Sequence, residues 1–146
     1  MTLRQQERDL DRVFAAAADE FLLFVYGTLM RDGPRFSVLA GQRFLGEART
    51  QPGYELHDLG PYPGMITNPG EFVVHGEIFS VANSIRGILD QVEGAPDLYL
   101  LEQVHIEGVI SPVFSYLYRG KVGAASLIEN GRWDNRKAAP WDGGPP

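Results

Sequence analysis

The apolar residues of this chain are densest at positions 21–26, FLLFVY, a run without a polar interruption. A run this short, rich in aromatic residues and ending at a glycine, predicts a strand buried on both faces, although a buried helix segment has the same pattern. Gly27, where the run stops, can adopt backbone angles that other residues avoid and lets a ligand approach the main chain. Successive N–H groups in such a turn can bind an anion, but the glycine could equally just end a core strand.

Weaker patterns predict the remaining strands and a small number of helices. Strands are expected over residues 43–50, 54–59, 65–67, 71–81, 102–109 and 113–118, the last two forming a hairpin. An amphipathic helix is expected over residues 3–18 and a short one over residues 34–39. A further helix should run from Ser84 to about Glu93 between an Asn83 cap and Gly94. Its packed face should consist of Ile85, Ile88, Leu89 and Val92.

Many short strands and two or three helices favour an α+β fold. The chain has 146 residues, 44% of them hydrophobic and 22% charged, which fits one globular domain. We expect an N-terminal helix in residues 1–20, the folded domain in residues 21–137 and a loose tail rich in proline and glycine in residues 138–146.

Charge and cysteine content narrow the classes of function. The formal net charge of −6 gives the chain no basic footprint for nucleic acid. The absence of cysteine excludes disulfides, thiolate zinc sites and cysteine nucleophiles. No apolar run approaches the roughly 20 residues of a membrane span, and the charged N-terminus does not resemble a secretory signal. The expectation is a cytoplasmic protein, monomer or homodimer, that binds neither membrane nor nucleic acid.

Four segments together resemble one known family. They are Tyr26-Gly27-Thr28-Leu29 at the end of the first strand, Tyr62-Pro63-Gly64, the segment VHGEIF at 74–79, and LDQVEG at 89–94 with Tyr99 following. In this order, across residues 21–133, they resemble the γ-glutamyl cyclotransferase-like family. The resemblance implies a small mixed, barrel-like sheet with helices packed outside.

The resemblance also implies a reaction. In this family the α-amino group of a γ-glutamyl unit attacks its own side-chain carbonyl, which releases 5-oxoproline and an amine or amino acid. Both reacting groups belong to one molecule, and well-oriented intramolecular reactions reach effective molarities on the order of 10⁵–10⁸ M. The reaction therefore needs no metal, cofactor or protein nucleophile. Two alternatives stay open: removal of a γ-glutamyl protecting group from a biosynthetic intermediate, and a non-catalytic binding protein on the same fold.

The resemblance assigns the general base to Glu93. Its predicted place at a helix C-terminus supports this independently, because the helix dipole disfavours negative charge there by about 0.3–1 kcal/mol and so raises the carboxyl pKa. The alternative is a solvated glutamate at a frayed helix end. Glu77 is the rival base, since apolar neighbours on its strand would also raise the pKa of its carboxyl; it could instead be a structural, hydrogen-bonded glutamate.

Substrate binding is assigned by resemblance to the glycine turn and to two later tyrosines. The γ-glutamyl unit should contact Tyr26, Gly27, Thr28, Leu29, Tyr99 and Tyr116. Tyr118 lies on the same strand face as Tyr116, so the choice between them stays open. Each tyrosine could instead be a core aromatic with a satisfied hydroxyl.

Two positions depart from the family pattern. Leu101 stands where the family often has arginine. Arg132, in Gly131-Arg132-Trp133, stands where the family often has the aspartate of Gly-Asp-Trp. The first could alter an ion pair or the rim of the pocket, which selects the leaving group, and the second could change only a surface turn. The three histidines, His57, His75 and His105, lack ligand spacing, and we expect no metal site.

Overall fold

The computed structural model describes residues 16–146. The predicted N-terminal helix falls mainly on residues 1–15, outside that part, and a turn at residues 18–19 leads into the first strand. The strands are β1 Glu20–Val25, β2 Arg43–Arg49, β3 Tyr54–Asp58, β4 Pro63–Thr67, β5 His75–Ala82, β6 Tyr99–Val104 and β7 Val113–Tyr118. One α-helix, α1, spans Arg86–Glu93, and a 3-10 helix spans Phe36–Leu39.

The first strand lies at the centre of a five-stranded sheet with the order β2-β5-β1-β7-β6. It runs antiparallel to β5, with Val25 opposite Glu77, and parallel to β7. Alternate side chains of β1 enter two hydrophobic clusters, one containing Leu22 and Phe24 and the other Leu23 and Val25. The strand is therefore buried on both faces, as its apolar run predicts.

The α+β class is confirmed, but the sheet is not closed into a barrel. The edge strands β2 and β6 approach each other just beyond their ends, at the isolated bridge between Thr50 and Ile106. Around this bridge the Gln51 N–H donates to the His105 carbonyl and the Glu107 N–H donates to the Arg49 carbonyl. The pairing ends where the chain turns at residues 107–108, with φ 70° at Gly108. The expected strand over 102–109 is thus displaced towards the N-terminus, while its antiparallel pairing with β7 is confirmed.

The helix α1 buries only part of its predicted packed face. Leu89 and Val92 are buried as expected, but Ile88 is 54% exposed. Asn83 begins a 3-10 turn and does not cap the α-helix, whose N-cap position is Ile85. Gly94 ends α1 in the left-handed conformation, with φ 67°, as expected. Within residues 16–146, no helix is long and apolar enough to cross a membrane.

Candidate active site

A small cavity opens where β1 ends, between the glycine turn, α1 and the hairpin strands. Its volume is about 30 Å³. It brings together all seven residues proposed from the sequence: Tyr26, Gly27, Thr28, Leu29, Glu93, Tyr99 and Tyr116. The other lining residues are Phe24, Val25, Arg35, Tyr62 and Pro63. Tyr26 and Tyr116, which are 90 positions apart in the sequence, thus meet at one cavity.

Gly27 is required here by close packing and not by unusual backbone angles. Its φ is not positive, contrary to the reason expected from the sequence. A Cβ at this position would instead lie 2.5 Å from Cγ of Pro63 and 2.8 Å from its Cδ. The Pro63 ring therefore packs directly on the main chain of the turn, and only a residue without a side chain fits between them.

The glycine turn presents main-chain donors that have no partner within residues 16–146. No acceptor in that range pairs with the N–H groups of Gly27, Thr28 or Leu29. The turn is fixed from behind, since Asn135 Nδ2 donates to the Gly27 carbonyl at 3.0 Å and to Asp32 Oδ1 at 2.9 Å. Three successive unpaired N–H groups on a fixed turn can receive a carboxylate or an oxyanion.

Glu93 is the last residue of α1, and its side chain is buried against the cavity. The residue is 8% exposed, so it is not a solvated glutamate at a frayed helix end. Burial raises the pKa of its carboxyl to about 7, and the positive charge of Arg35 opposes part of that rise. The main cause is therefore desolvation and not the helix dipole on which the sequence argument relied.

Two tyrosine hydroxyls brace the cavity by binding main-chain groups. Tyr26 donates to the carbonyl of Tyr116 at 2.7 Å and accepts from the N–H of Met65 at 3.1 Å. Tyr99 donates to the carbonyl of Pro63 at 2.7 Å. Burial raises the pKa of both phenols, and the nearby Glu93 carboxylate raises each further. Both tyrosines therefore stay neutral and form the cavity wall.

Tyr116 and not Tyr118 is the late-strand tyrosine that lines the cavity. The Tyr116 hydroxyl donates to Asp90 Oδ1 at 2.7 Å. Asp90 lies three residues before Glu93 on α1, so the bond ties β7 to the helix face that carries the carboxylate. Tyr118 packs its ring against Tyr99 outside the cavity lining.

Glu77, the rival base, lies in a different place. It lines a groove of about 820 Å³ and does not contribute to the cavity that holds Glu93. Its carboxylate accepts from the Arg31 main-chain N–H at 2.8 Å and from Arg31 Nε at 3.1 Å. These bonds are those of a structural, hydrogen-bonded glutamate, the alternative role that the sequence left open for Glu77.

Sequence reasoning missed three residues of the site: Arg35, Tyr62 and Asn135. Tyr62 belonged to a segment that carried the family resemblance, which was a usable signal. No sequence signal identified Arg35 or Asn135, because each contacts a site residue that is distant in the sequence: Arg35 contacts Tyr62, and Asn135 contacts Gly27. Of the two departures, Leu101 packs into a hydrophobic cluster, whereas Arg132 is exposed and lines the larger groove.

The sequence and the fold of the chain are similar to those of known proteins. A family profile described as "Gamma-glutamyl cyclotransferase, AIG2-like" matches residues 23–135. The gamma-glutamylcyclotransferase family protein YtfP of Escherichia coli K12 is 30% identical over 114 residues, covering 78% of this chain and 96% of YtfP. A solution NMR structure of the E. coli protein superimposes with a TM-score of 0.62 and covers 80% of this chain and 98% of that one.

Two mammalian proteins are also similar to the chain. A gamma-glutamylaminecyclotransferase of Bos taurus is 33% identical over 106 residues, covering 66% of this chain and 63% of the bovine protein. The crystal structure of a mouse AIG2-like protein has a TM-score of 0.67 at 24% identity, covering 79% of this chain and 88% of that one. This last similarity concerns the fold alone.

Proposed function

The chain belongs to the gamma-glutamyl cyclotransferase, AIG2-like family, and from this premise we propose that it releases 5-oxoproline from a small γ-glutamyl amine or γ-glutamyl amino acid, with Glu93 as the general base. The observation that carries the proposal is the buried Glu93 carboxylate, which shares one cavity with the unpaired N–H groups of the glycine turn. The name of the bovine relative, a gamma-glutamylaminecyclotransferase, supports γ-glutamyl amines as one class of substrate.

The reaction begins with proton transfer. Glu93 in its ionised form accepts a proton from the α-ammonium group of the substrate, which leaves a neutral amine. A carboxyl whose pKa is about 7 is ionised in a substantial fraction of molecules at neutral pH, yet it is a stronger base than an ordinary glutamate. The pKa produced by burial therefore suits the role.

Ring closure follows. The amine nitrogen attacks the carbon of the side-chain amide, and a new C–N bond forms as the carbonyl oxygen becomes an oxyanion. N–H groups of Gly27, Thr28 and Leu29 are the donors available to stabilise that charge, or to hold the α-carboxylate. Protonated Glu93 gives its proton to the leaving nitrogen, and the carboxylate then takes the second proton from the ring nitrogen. The C–N bond to the leaving amine breaks as the oxyanion re-forms the carbonyl, and the departing amine takes the proton from Glu93 and leaves as an ammonium ion. No electrons are exchanged, so no redox cofactor takes part.

The cavity must widen to admit a substrate. Its volume of about 30 Å³ holds one or two water molecules, which is far less than a γ-glutamyl unit occupies. Among residues 16–146, Tyr62 is the one lining residue that is not buried. A rotation of the Tyr62 ring would widen the cavity on the side of this residue.

The test is 5-oxoproline release from a panel of γ-glutamyl amines and γ-glutamyl amino acids. Replacing Glu93 with glutamine keeps the side-chain shape but removes the base, and should lower kcat by about 10²- to 10⁴-fold. E77Q should stay within a few fold of the wild type, because Glu77 lies in the other groove. The exposed Glu71 offers a matched control, E71Q, with the same change in charge. Equal release by wild type and E93Q would overturn the proposal.

A further inference from the structure

Arg35 is a buried cation for which the described part of the chain provides no anionic partner. The residue is 7% exposed and lines the cavity beside Glu93. Within residues 16–146 its guanidinium forms no ion pair with any carboxylate. Burying an ionised group without a partner is costly, and buried charges in proteins are therefore nearly always paired.

Aromatic rings surround the guanidinium without satisfying its donors. Its Cζ atom lies 5.5 Å from the centroid of the Tyr62 ring and 5.8 Å from that of Trp141. Rings at this distance attract a cation, but their faces do not replace strong hydrogen-bond acceptors. Arginine carries five N–H donors in a planar fork that matches a carboxylate. The rings hold the fork in place and leave its donors available.

Glu93 does not serve as the permanent partner of Arg35. The two side chains are close enough for the Arg35 charge to lower the pKa of the Glu93 carboxyl, but they form no ion pair. In the reaction Glu93 takes up a proton and becomes neutral. A cation paired to Glu93 would then lose its partner at the moment the substrate reacts.

We propose that Arg35 binds a carboxylate of the substrate. This inference rests on the proposed function and deepens it, because it makes a carboxylate an element of recognition. Two substrate groups have this chemistry: the α-carboxylate of the γ-glutamyl unit, and the carboxylate of an amino acid leaving group. The first would make Arg35 essential for every substrate, and the second would make it select γ-glutamyl amino acids over γ-glutamyl amines.

One matched pair of ligands distinguishes between these two carboxylates as the partner of Arg35. γ-Glutamyl-alanine and γ-glutamyl-ethylamide differ by a single carboxylate on the leaving side. Their dissociation constants are measured by calorimetry in the E93Q background, so that the ligands are not consumed. Four proteins are compared in that background: E93Q alone, with R35Q, with R35K, and with K121Q. Lys121 is exposed and outside the cavity, so its substitution controls for the loss of one positive charge.

The result expected for a carboxylate partner is a loss of affinity of about 10- to 100-fold in R35Q, with a smaller loss in R35K and none in K121Q. If R35Q loses affinity for both ligands, Arg35 binds the α-carboxylate of the γ-glutamyl unit. If R35Q loses affinity for γ-glutamyl-alanine alone, Arg35 binds the carboxylate of the leaving group. Thermal unfolding of each protein checks that the fold is retained, and R35K keeps the charge if R35Q is poorly folded.

Two results would overturn the inference. Unchanged affinity of folded R35Q and R35K for both ligands would show that Arg35 is a structural cation stacked on its aromatic neighbours. A loss of affinity in K121Q as large as that in R35Q would also overturn it, because the loss would then follow the net charge of the protein and not Arg35. The proposed function fails separately, if wild type releases no 5-oxoproline, whatever Arg35 contributes to binding.

Discussion

Tyr116 donates a hydrogen bond of 2.7 Å from its hydroxyl to Asp90 Oδ1, three residues before Glu93 on α1. The bond joins β7, the strand beside the central strand β1, to the helix that carries the proposed base. Because Glu93 is the last residue of α1, the position of its carboxylate depends on how firmly this end of the helix is held. The contact thus links a strand residue to the geometry of the reaction.

Replacing Tyr116 with phenylalanine should lower the free energy of unfolding by about 1 kcal/mol, because it removes this bond and keeps the ring. It should also lower kcat more than it raises KM, since the carboxylate is less well placed. Y118F is the matched control, because Tyr118 lies outside the cavity lining. Denaturant unfolding and steady-state kinetics check both effects. Equal behaviour of Y116F and Y118F would contradict the role given to the bond.

Gly27→Ala should destabilise the protein by about 1–3 kcal/mol, because the new methyl group would overlap the Pro63 ring. Activity should fall as well, since the turn must shift. In contrast, Gly87→Ala on the exposed side of α1 meets nothing within 4 Å and should be neutral or stabilising by up to about 1 kcal/mol. Thermal melting of the two variants provides the comparison. A G27A protein as stable as the wild type would refute the packing argument.

Asn135→Ala should lower the free energy of unfolding by about 1–2 kcal/mol, because it removes the donor that binds the Gly27 carbonyl and Asp32. Asn135→Asp should be worse than alanine, since it places a carboxylate against two acceptors. Both should raise KM by loosening the glycine turn. If N135D melts at the wild-type temperature, the Asn135 side chain is not what holds the turn.

The stability of the fold should depend on the ionisation of Glu93. Its pKa is raised from an ordinary value of 4.5 to about 7 in the folded state. Between these values the folded state holds more protons than the unfolded state, so the free energy of unfolding falls as pH rises, by up to about 3 kcal/mol in total. E93Q should lack this decline. Parallel pH dependence of denaturant unfolding in wild type and E93Q would contradict the raised pKa.

Structural features that depend on a few neighbouring residues could be predicted from the sequence. An unbroken apolar run identified β1, and the left-handed Gly94 marked the end of α1, because both signals lie within a few residues. The seven proposed site residues were named through short segments that resemble a family. The structure brings them to one cavity.

Features that depend on distant contacts were not accessible. The pKa of Glu93 is raised by burial, and that burial is created by strands far from α1 in sequence. From the sequence, only the helix dipole could be identified as a cause of a raised pKa, and its effect is smaller than that of burial. Asn135 is 108 positions from Gly27, and no local pattern joins them. The resemblance also predicted a barrel-like sheet, whereas the edge strands β2 and β6 meet only at the isolated bridge between Thr50 and Ile106. No local pattern in the sequence indicates how far two edge strands pair.

The most direct measurement is the pH dependence of kcat/KM for 5-oxoproline release, using the best substrate from the panel, in wild type and E93Q. If Glu93 is the base, wild-type kcat/KM rises with pH through a midpoint near 7, where the buried carboxyl loses its proton. E93Q then shows much lower values and lacks that step. A wild-type rise that persists unchanged in E93Q would mean that another group accepts the proton, and the central assignment would be wrong.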